Sequence, residues 1–172
     1  MVTAPEFAMA IEAKWTEPRY ELVHEWLGDS PNKAEVLRGW CDLLERRTAG
    51  AIVERDLGML PYQMIHRAAS ACDEAGVIPG CWLVYQVFEA AENSLVDCLA
   101  DLRDLGRVLG PDSSLGIAVT ECNVDPSDAL SGLRTRWQEG ARQLTRSVRA
   151  SLAKGKLLSV SIDRVHHVAT GG

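Results

Sequence analysis

The sequence lacks any long hydrophobic run. No apolar stretch of the 172-residue chain approaches the roughly 20 residues that a helix needs to cross a bilayer. The N-terminal stretch MVTAPEFAMAIEAKW also lacks the basic start and the long apolar core of a secretory signal peptide. These two absences argue against a membrane-spanning or secreted protein and predict a cytoplasmic one.

Several motifs of catalysis and metal binding are also missing. No GxSxG, Walker or GxGxxG pattern occurs, so the sequence does not support a serine-hydrolase elbow or a nucleotide-binding fold. The cysteines are odd in number and form no CxxC pair or Cys/His cluster, which argues against a structural zinc site. We expect free, reduced thiols among apolar neighbours, at Cys41, Cys72, Cys81, Cys98 and Cys122.

The overall composition is that of an ordinary globular domain. Hydrophobic residues make up 47% and charged residues 24% of the chain, a balance that argues against wholesale disorder. Without repeats, low-complexity tracts or an evident linker, residues 1–172 are predicted to form a single domain.

Positive charge is concentrated in one segment of an acidic chain. The net charge is −6, yet residues 133–156 contain seven basic residues and one acidic residue, Glu139. Such a segment is typical either of the solvated side of a helix or of a surface that faces a polyanion such as DNA. Under the second interpretation, the arginines that bind phosphate are Arg134, Arg142, Arg146 and Arg149.

Hydrophobic periodicity predicts strands separated by helices. Strands are expected at residues 8–15, 81–89 and 115–124, and a half-exposed strand at 157–168, where Leu158, Val160 and Ile162 alternate with polar residues. Helices are expected at 31–47, from Pro61 to Gly76, from about 93 to 108 and from about 127 to 153. This order predicts an α/β domain with a mixed or parallel sheet and flanking helices.

The first predicted strand places two charged side chains together. In IEAKWTEP, residues 11–18, Glu12 and Lys14 are two positions apart and therefore project from the same face of the strand. A carboxylate can bind Mg²⁺, and a neighbouring ammonium can orient water or neutralise charge on a phosphate under attack. The same triplet is also compatible with an edge-of-strand ion pair that contributes about 0–1 kcal/mol.

This stretch resembles the (D/E)xK strand of the PD-(D/E)xK nuclease superfamily. In that restriction-endonuclease-like family a helix and a further apolar strand follow, and LPYQMIHRAASAC and CWLVYQVFEA match them here. The resemblance covers residues 8–90. It implies Mg²⁺-dependent DNA phosphodiester hydrolysis, with Glu12 as metal ligand, Lys14 as catalytic cation and Gln63 nearby.

One element of the family pattern is not seen in the sequence. Active members place another acid on the strand before the (D/E)xK strand, whereas Glu6 is the only acid ahead of Ile11. Six residues of extended chain separate Glu6 from Glu12 by roughly 20 Å, too far for one metal ion. Residues 5–10 are also too few for a strand and a turn, so we expect the N-terminal part of this core to be missing and the fold to be truncated.

Two functional hypotheses follow. The first is a nuclease-like hydrolase whose site is completed by a further acid. The second is a catalytically inactive interaction or assembly protein, which binds a partner or a second copy of itself through an open sheet edge. Gln63, Arg67 and Ser70 share a face of the predicted helix and could contact phosphate or merely face solvent. The histidine pair at 166–167 should point to opposite sides of its strand and therefore not chelate one ion.

Overall fold

The computed structural model describes residues 2–4, 6–15, 19–48, 50–75, 80–89, 92–138, 148–150 and 158–171. Five strands form one sheet in chain order. They are β1 (Val2–Ala4), β2 (Phe7–Lys14), β3 (Gly80–Phe88), β4 (Leu115–Pro126) and β5 (Leu158–Val168). Strands β2, β3 and β4 are parallel, whereas β1 and β5 run antiparallel to their neighbours.

Helices α1 to α5 of the described part accompany the sheet. They are α1 (Val23–Leu27), α2 (Pro31–Glu45), α3 (Tyr62–Ala75), α4 (Glu92–Leu109) and α5 (Asp128–Gln138). The predicted start of α2 is confirmed, because Ser30 Oγ accepts a hydrogen bond from Lys33 N and Pro31 occupies the first turn. No helix in the described ranges is long and apolar enough to cross a membrane. The architecture is thus α/β with a mixed sheet and flanking helices, as the sequence predicted.

A short strand that the sequence did not predict precedes β2. Val2 pairs with Met9 and Ala4 pairs with Phe7, so β1 forms a short antiparallel hairpin with the beginning of β2. The hairpin brings no acid to the site, since β1 is the tripeptide VTA and Glu6 lies in the turn.

Alternation along the central strands separates the sheet into two faces. Leu83 and Ile117 lie on the face that contributes to the main hydrophobic core, together with Leu37 of α2, Ile65 of α3 and Leu102 of α4. Glu12 shares this face, because Ala10, two positions earlier on β2, belongs to the main core and side chains alternate along a strand. Consequently a charged side chain projects from the sheet into the layer between strands and helices.

The opposite face of the sheet has buried residues of its own. Val84, Ala118 and Cys122 are buried there, outside the main core cluster. Helix α5 contacts β4, and its Leu133 is also buried. The predicted helix from about 127 to 153 is confirmed for α5 and for residues 148–150, whereas residues 139–147 and 151–153 lie outside the described part.

The prediction of a half-exposed final strand is wrong in one respect. Strand β5 forms where expected, but nearly all of its residues are exposed, including those of the apolar stripe. Only Val168, at its C-terminal end, is buried. Alternation of apolar and polar residues indicates a strand with two chemically different faces. It does not ensure that the apolar face is buried, because burial also requires other elements to pack on that face.

Candidate functional site

Strand β2 brings Glu12 and Lys14 together beneath the helices. Glu12 is 7% exposed, although it is charged. Lys14 Nζ lies 3.8 Å from Glu12 Oε1, and the exposed fraction of the Lys14 side chain is 17%. The two side chains therefore share the core face of the strand, as their spacing predicted, and the pair is not a solvent-exposed edge contact.

Both oxygens of the Glu12 carboxylate have partners. Arg67 Nε of α3 donates to Oε2 at 2.7 Å, and the Tyr20 hydroxyl donates to Oε1 at 3.2 Å. A buried carboxylate is costly unless it is paired and hydrogen-bonded, and these two donors meet that requirement. Helix α3 packs on β2, which is why Arg67 reaches a residue 55 positions earlier in the chain.

Lys14 differs from Glu12 in its hydrogen bonding. Its Nζ is buried and has no hydrogen-bond acceptor among the described residues. The ammonium lies 3.3 Å from the centroid of the Tyr20 ring, a cation–π arrangement. Attraction to the ring and to Glu12 at 3.8 Å offsets part of the desolvation cost, but the described residues provide no acceptor for the three N–H donors of this buried ammonium.

A second ion pair joins the half-exposed Arg19 to a buried carboxylate of helix α4. Arg19 donates to both oxygens of Asp101, from Nε at 3.0 Å and from Nη2 at 2.6 Å. Asp101 is 7% exposed, so this fork-shaped pairing neutralises the second buried carboxylate of the core face. The sequence contained no signal for it, since the two residues are 82 positions apart.

Two further ionisable groups near these carboxylates stay protonated at neutral pH. Burial raises the pKa of Tyr85 far above its usual value, and the nearby Glu12 charge acts in the same direction. Burial, with Asp101 as a second cause, raises the pKa of the Cys98 thiol to about 12. Neither group therefore adds negative charge to the surroundings of Lys14.

Gln63, the third residue implied by the family resemblance, is hydrogen-bonded to Tyr62 and is not among the residues that donate to Glu12. Gln63 lies at the start of α3, and its amide donates to the Tyr62 hydroxyl at 3.2 Å. Of the three residues on the predicted helix face, Arg67 alone forms a hydrogen bond with Glu12, whereas Ser70 Oγ donates to the carbonyl of His66.

The Glu12–Lys14 cluster consists of Glu12, Lys14, Tyr20 and Arg67. A row of aromatic rings leads away from it. Tyr20 contacts Tyr62, which stacks on Trp26, and Trp26 in turn stacks on Trp40. Trp40 stacks on His66 at 5.2 Å between ring centroids. Burial, with the Arg67 charge as a second cause, lowers the pKa of His66. The row joins α1, α2 and α3 and holds the Tyr20 ring under Lys14.

The predicted DNA-facing arginines lie mostly outside the described structure. The side chain of Arg134 and the whole of Arg142 and Arg146 are not described, and Arg149 is exposed in the helical segment 148–150. Their role in DNA binding stays a prediction.

The two adjacent histidines of β5 point to opposite faces, as predicted. His166 Nε2 lies 2.5 Å from Glu121 Oε1, whereas the ring of His167 packs against Trp82. Across the described ranges, no group of three His, Cys, Asp or Glu side chains is arranged to hold a metal ion.

The comparison with protein families gives one result. A family model described as a domain of unknown function, DUF6946, matches residues 2–150. The chain belongs to the DUF6946 family. The matched range contains β1 to β4 and the whole Glu12–Lys14 cluster, and it ends before β5. No curated protein and no solved structure matches the chain significantly.

Proposed function

We propose that the Glu12–Lys14 cluster binds a phosphodiester group of DNA, in a nuclease-like α/β protein. The observation that supports this most directly is the buried Lys14 ammonium, which has no hydrogen-bond acceptor in the described structure. Unsatisfied buried polar groups are rare in native proteins and are often explained by a ligand. An anionic oxygen is the partner that such an ammonium lacks.

The charge of the cluster favours an anion over a cation. Lys14 and Arg67 carry two positive charges against the single negative charge of Glu12, which leaves an excess of one positive charge. In a partly desolvated site this excess attracts anions more strongly than it would on an open surface. Arg67 is 40% exposed at its side chain, so the cluster has access to solvent through this residue.

Magnesium does not fit the cluster as it stands. Mg²⁺ requires near-octahedral oxygen coordination, usually from one or two carboxylates, waters and substrate phosphates. Both oxygens of Glu12 are bound by Tyr20 and Arg67, and both oxygens of Asp101 are bound by Arg19. A metal site would need Arg67 to leave Glu12 and another acid to join it. We therefore propose binding, and metal-dependent hydrolysis stays a prediction.

The restriction-endonuclease-like interpretation is supported by element order. The ExK strand β2 is followed, after α1 and α2, by helix α3 and by the parallel apolar strand β3, and the short hairpin strand β1 precedes it. Apart from α1 and α2, this order matches the one implied by the resemblance of residues 8–90, and that resemblance is why we propose DNA as the polyanion.

The proposal is tested by DNA binding of Lys14→Met, which removes the ammonium and keeps the length of the side chain. We expect its affinity for a short duplex to fall at least about tenfold, and the slope of log K against log salt to decrease by about 1. Arg38→Met is the matched control, because Arg38 is an exposed cation in a long 3.8 Å surface pair with Glu54. Equal affinities of the two variants, or no binding by the wild type, would contradict the proposal.

A plasmid assay with Mg²⁺ or Mn²⁺ separates binding from hydrolysis. We expect DNA binding without cleavage by the wild type. Metal-dependent cleavage that Lys14→Ala abolishes would overturn the proposal of binding alone and would support the hydrolytic hypothesis instead.

Assembly through a sheet edge is a second candidate function. Strand β1 pairs only with Phe7–Met9, so the part of β2 from Ala10 to Lys14 has no partner strand on that side among the described residues. Open edges of this kind can accept a strand from another chain.

A further inference from the structure

Strand β5 lies at an edge of the sheet and carries exposed apolar side chains. Leu158, Val160 and Ile162 are 43%, 58% and 57% exposed, and they lie on one face of the strand. In the described structure β5 pairs with β4 alone, so its other edge presents unpaired N–H and C=O groups. An exposed apolar edge strand without charge is a template for pairing with another strand.

The sequence of this edge is self-complementary. Residues 158–162 read LSVSI, which has the same order of apolar residues and serines in both directions. In an antiparallel pair centred on Val160, Leu158 of one copy lies opposite Ile162 of the other and Val160 lies opposite itself. On the other face, Ser159 lies opposite Ser161. Apolar residues thus face apolar residues, and hydroxyls face hydroxyls.

We propose that the chain forms a symmetric homodimer by antiparallel pairing of residues 158–162 with the same residues of a second copy. The two sheets then continue into one sheet across a twofold axis at Val160, as an isologous contact requires. This inference is independent of the proposed DNA binding, because β5 is distant in sequence from the Glu12–Lys14 cluster and shares no residue with it.

The structure limits this contact to five residues. The register between β4 and β5 shifts between Glu121 and Cys122, where Arg164 and Ile162 are the respective partners, so Asp163 is an extra residue. A bulge of this kind bends the strand and protects an edge from further pairing. At the opposite edge of the sheet, β1 has only three residues and is a poorer template. Specific interfaces typically bury about 1,200–2,000 Å², so a contact of five residue pairs predicts a weak, concentration-dependent dimer.

The test is sedimentation equilibrium of the full chain over a wide concentration range. We expect the wild type to dimerise and Val160→Lys to raise the dimer dissociation constant at least about tenfold, because two ammonium groups would meet at the axis. Val96→Lys is the matched control, since Val96 is an apolar residue with 56% exposure on helix α4. A monomeric wild type, a dimer that Val160→Lys leaves intact, or equal weakening by both variants would overturn the proposal.

Cross-linking tests the register. At the axis, Val160→Cys places two thiols on directly opposed residues, within the Cα separation of about 4.4–6.8 Å that a disulfide spans. Ser159→Cys is the control, because its partner in this register is Ser161 of the other copy. We expect an oxidised dimer from Val160→Cys in excess over Ser159→Cys. Equal cross-linking, or none, would contradict pairing about Val160, including the case in which another part of the same chain covers the edge.

Discussion

Arg67 Nε lies 2.7 Å from Glu12 Oε2 and links helix α3 to the central strand β2. The exposed fraction of the Glu12 side chain is only 8%, whereas that of Arg67 is 40%. The pair therefore places a buried carboxylate next to a cation that still reaches solvent. This relationship determines both the stability of the cluster and what else can bind there.

Arg67→Met should destabilise the protein by about 1–3 kcal/mol. Removing one partner of a buried ion pair costs about 3–5 kcal/mol, and the solvent access of Arg67 reduces that value. Urea denaturation measures the free energy of unfolding. In the control Arg38→Met, which breaks an exposed pair, the change should stay below about 1 kcal/mol. Equal effects of the two substitutions would show that Glu12 does not depend on Arg67.

Lys14→Met should leave the free energy of unfolding unchanged within about 1 kcal/mol, or increase it. The substitution removes a buried ammonium without an acceptor, and Glu12 keeps its hydrogen bonds from Tyr20 and Arg67. Thermal and urea unfolding check this expectation. A loss comparable to that of Arg67→Met would mean that Lys14 stabilises the free protein and would remove the main reason for proposing an anion there.

His66→Phe should reduce the loss of stability at acidic pH. Burial and Arg67 lower the pKa of His66 in the folded protein, while Glu12 opposes the shift, so the unfolded chain binds the proton more readily. Stability from this group is therefore complete above the ordinary pKa of about 6.5 and decreases as the pH falls through and below that value. Phenylalanine keeps a ring against Trp40.

The measurement is the change in Tm between about pH 7.5 and about pH 5.5, on either side of the ordinary histidine pKa. This change should be smaller in the variant than in the wild type. The substitution leaves the other ionisable groups in place, so only the difference between the two proteins reports on His66. Identical pH profiles would contradict a depressed pKa at this position.

Two glycine-to-alanine substitutions should have opposite effects. A Cβ atom at Gly116 would lie 2.5 Å from the Trp82 ring, so Gly116→Ala should cost about 1–3 kcal/mol as the ring is displaced. Gly39 lies within helix α2 and has open space around it, so Gly39→Ala should stabilise by about 0.5–1 kcal/mol. Chemical denaturation of both variants checks the pair. A neutral Gly116→Ala would show that the Trp82 ring moves freely.

Much of the secondary structure was predictable because its signals are local. Ser30 and Pro31 marked the start of α2, and the apolar run after Pro79 marked β3. Glu12 and Lys14 could be assigned to one face because strand side chains alternate with a period of two. The hairpin strand β1 was missed, because a strand of three residues has no periodicity to detect.

The sequence by itself determined most of the segments that form strands and helices, although not β1 or α1, and it determined that a carboxylate and an ammonium project together from β2. Tertiary structure alone decided their surroundings. Tyr20 and Arg67 reach Glu12 only because α3 packs on the sheet, and no spacing in the chain encodes that contact. Likewise, the LSVSI segment has the alternation of a half-buried strand, yet its apolar side chains are exposed in the tertiary structure. Periodicity determines where side chains point, whereas packing between distant segments determines what they meet.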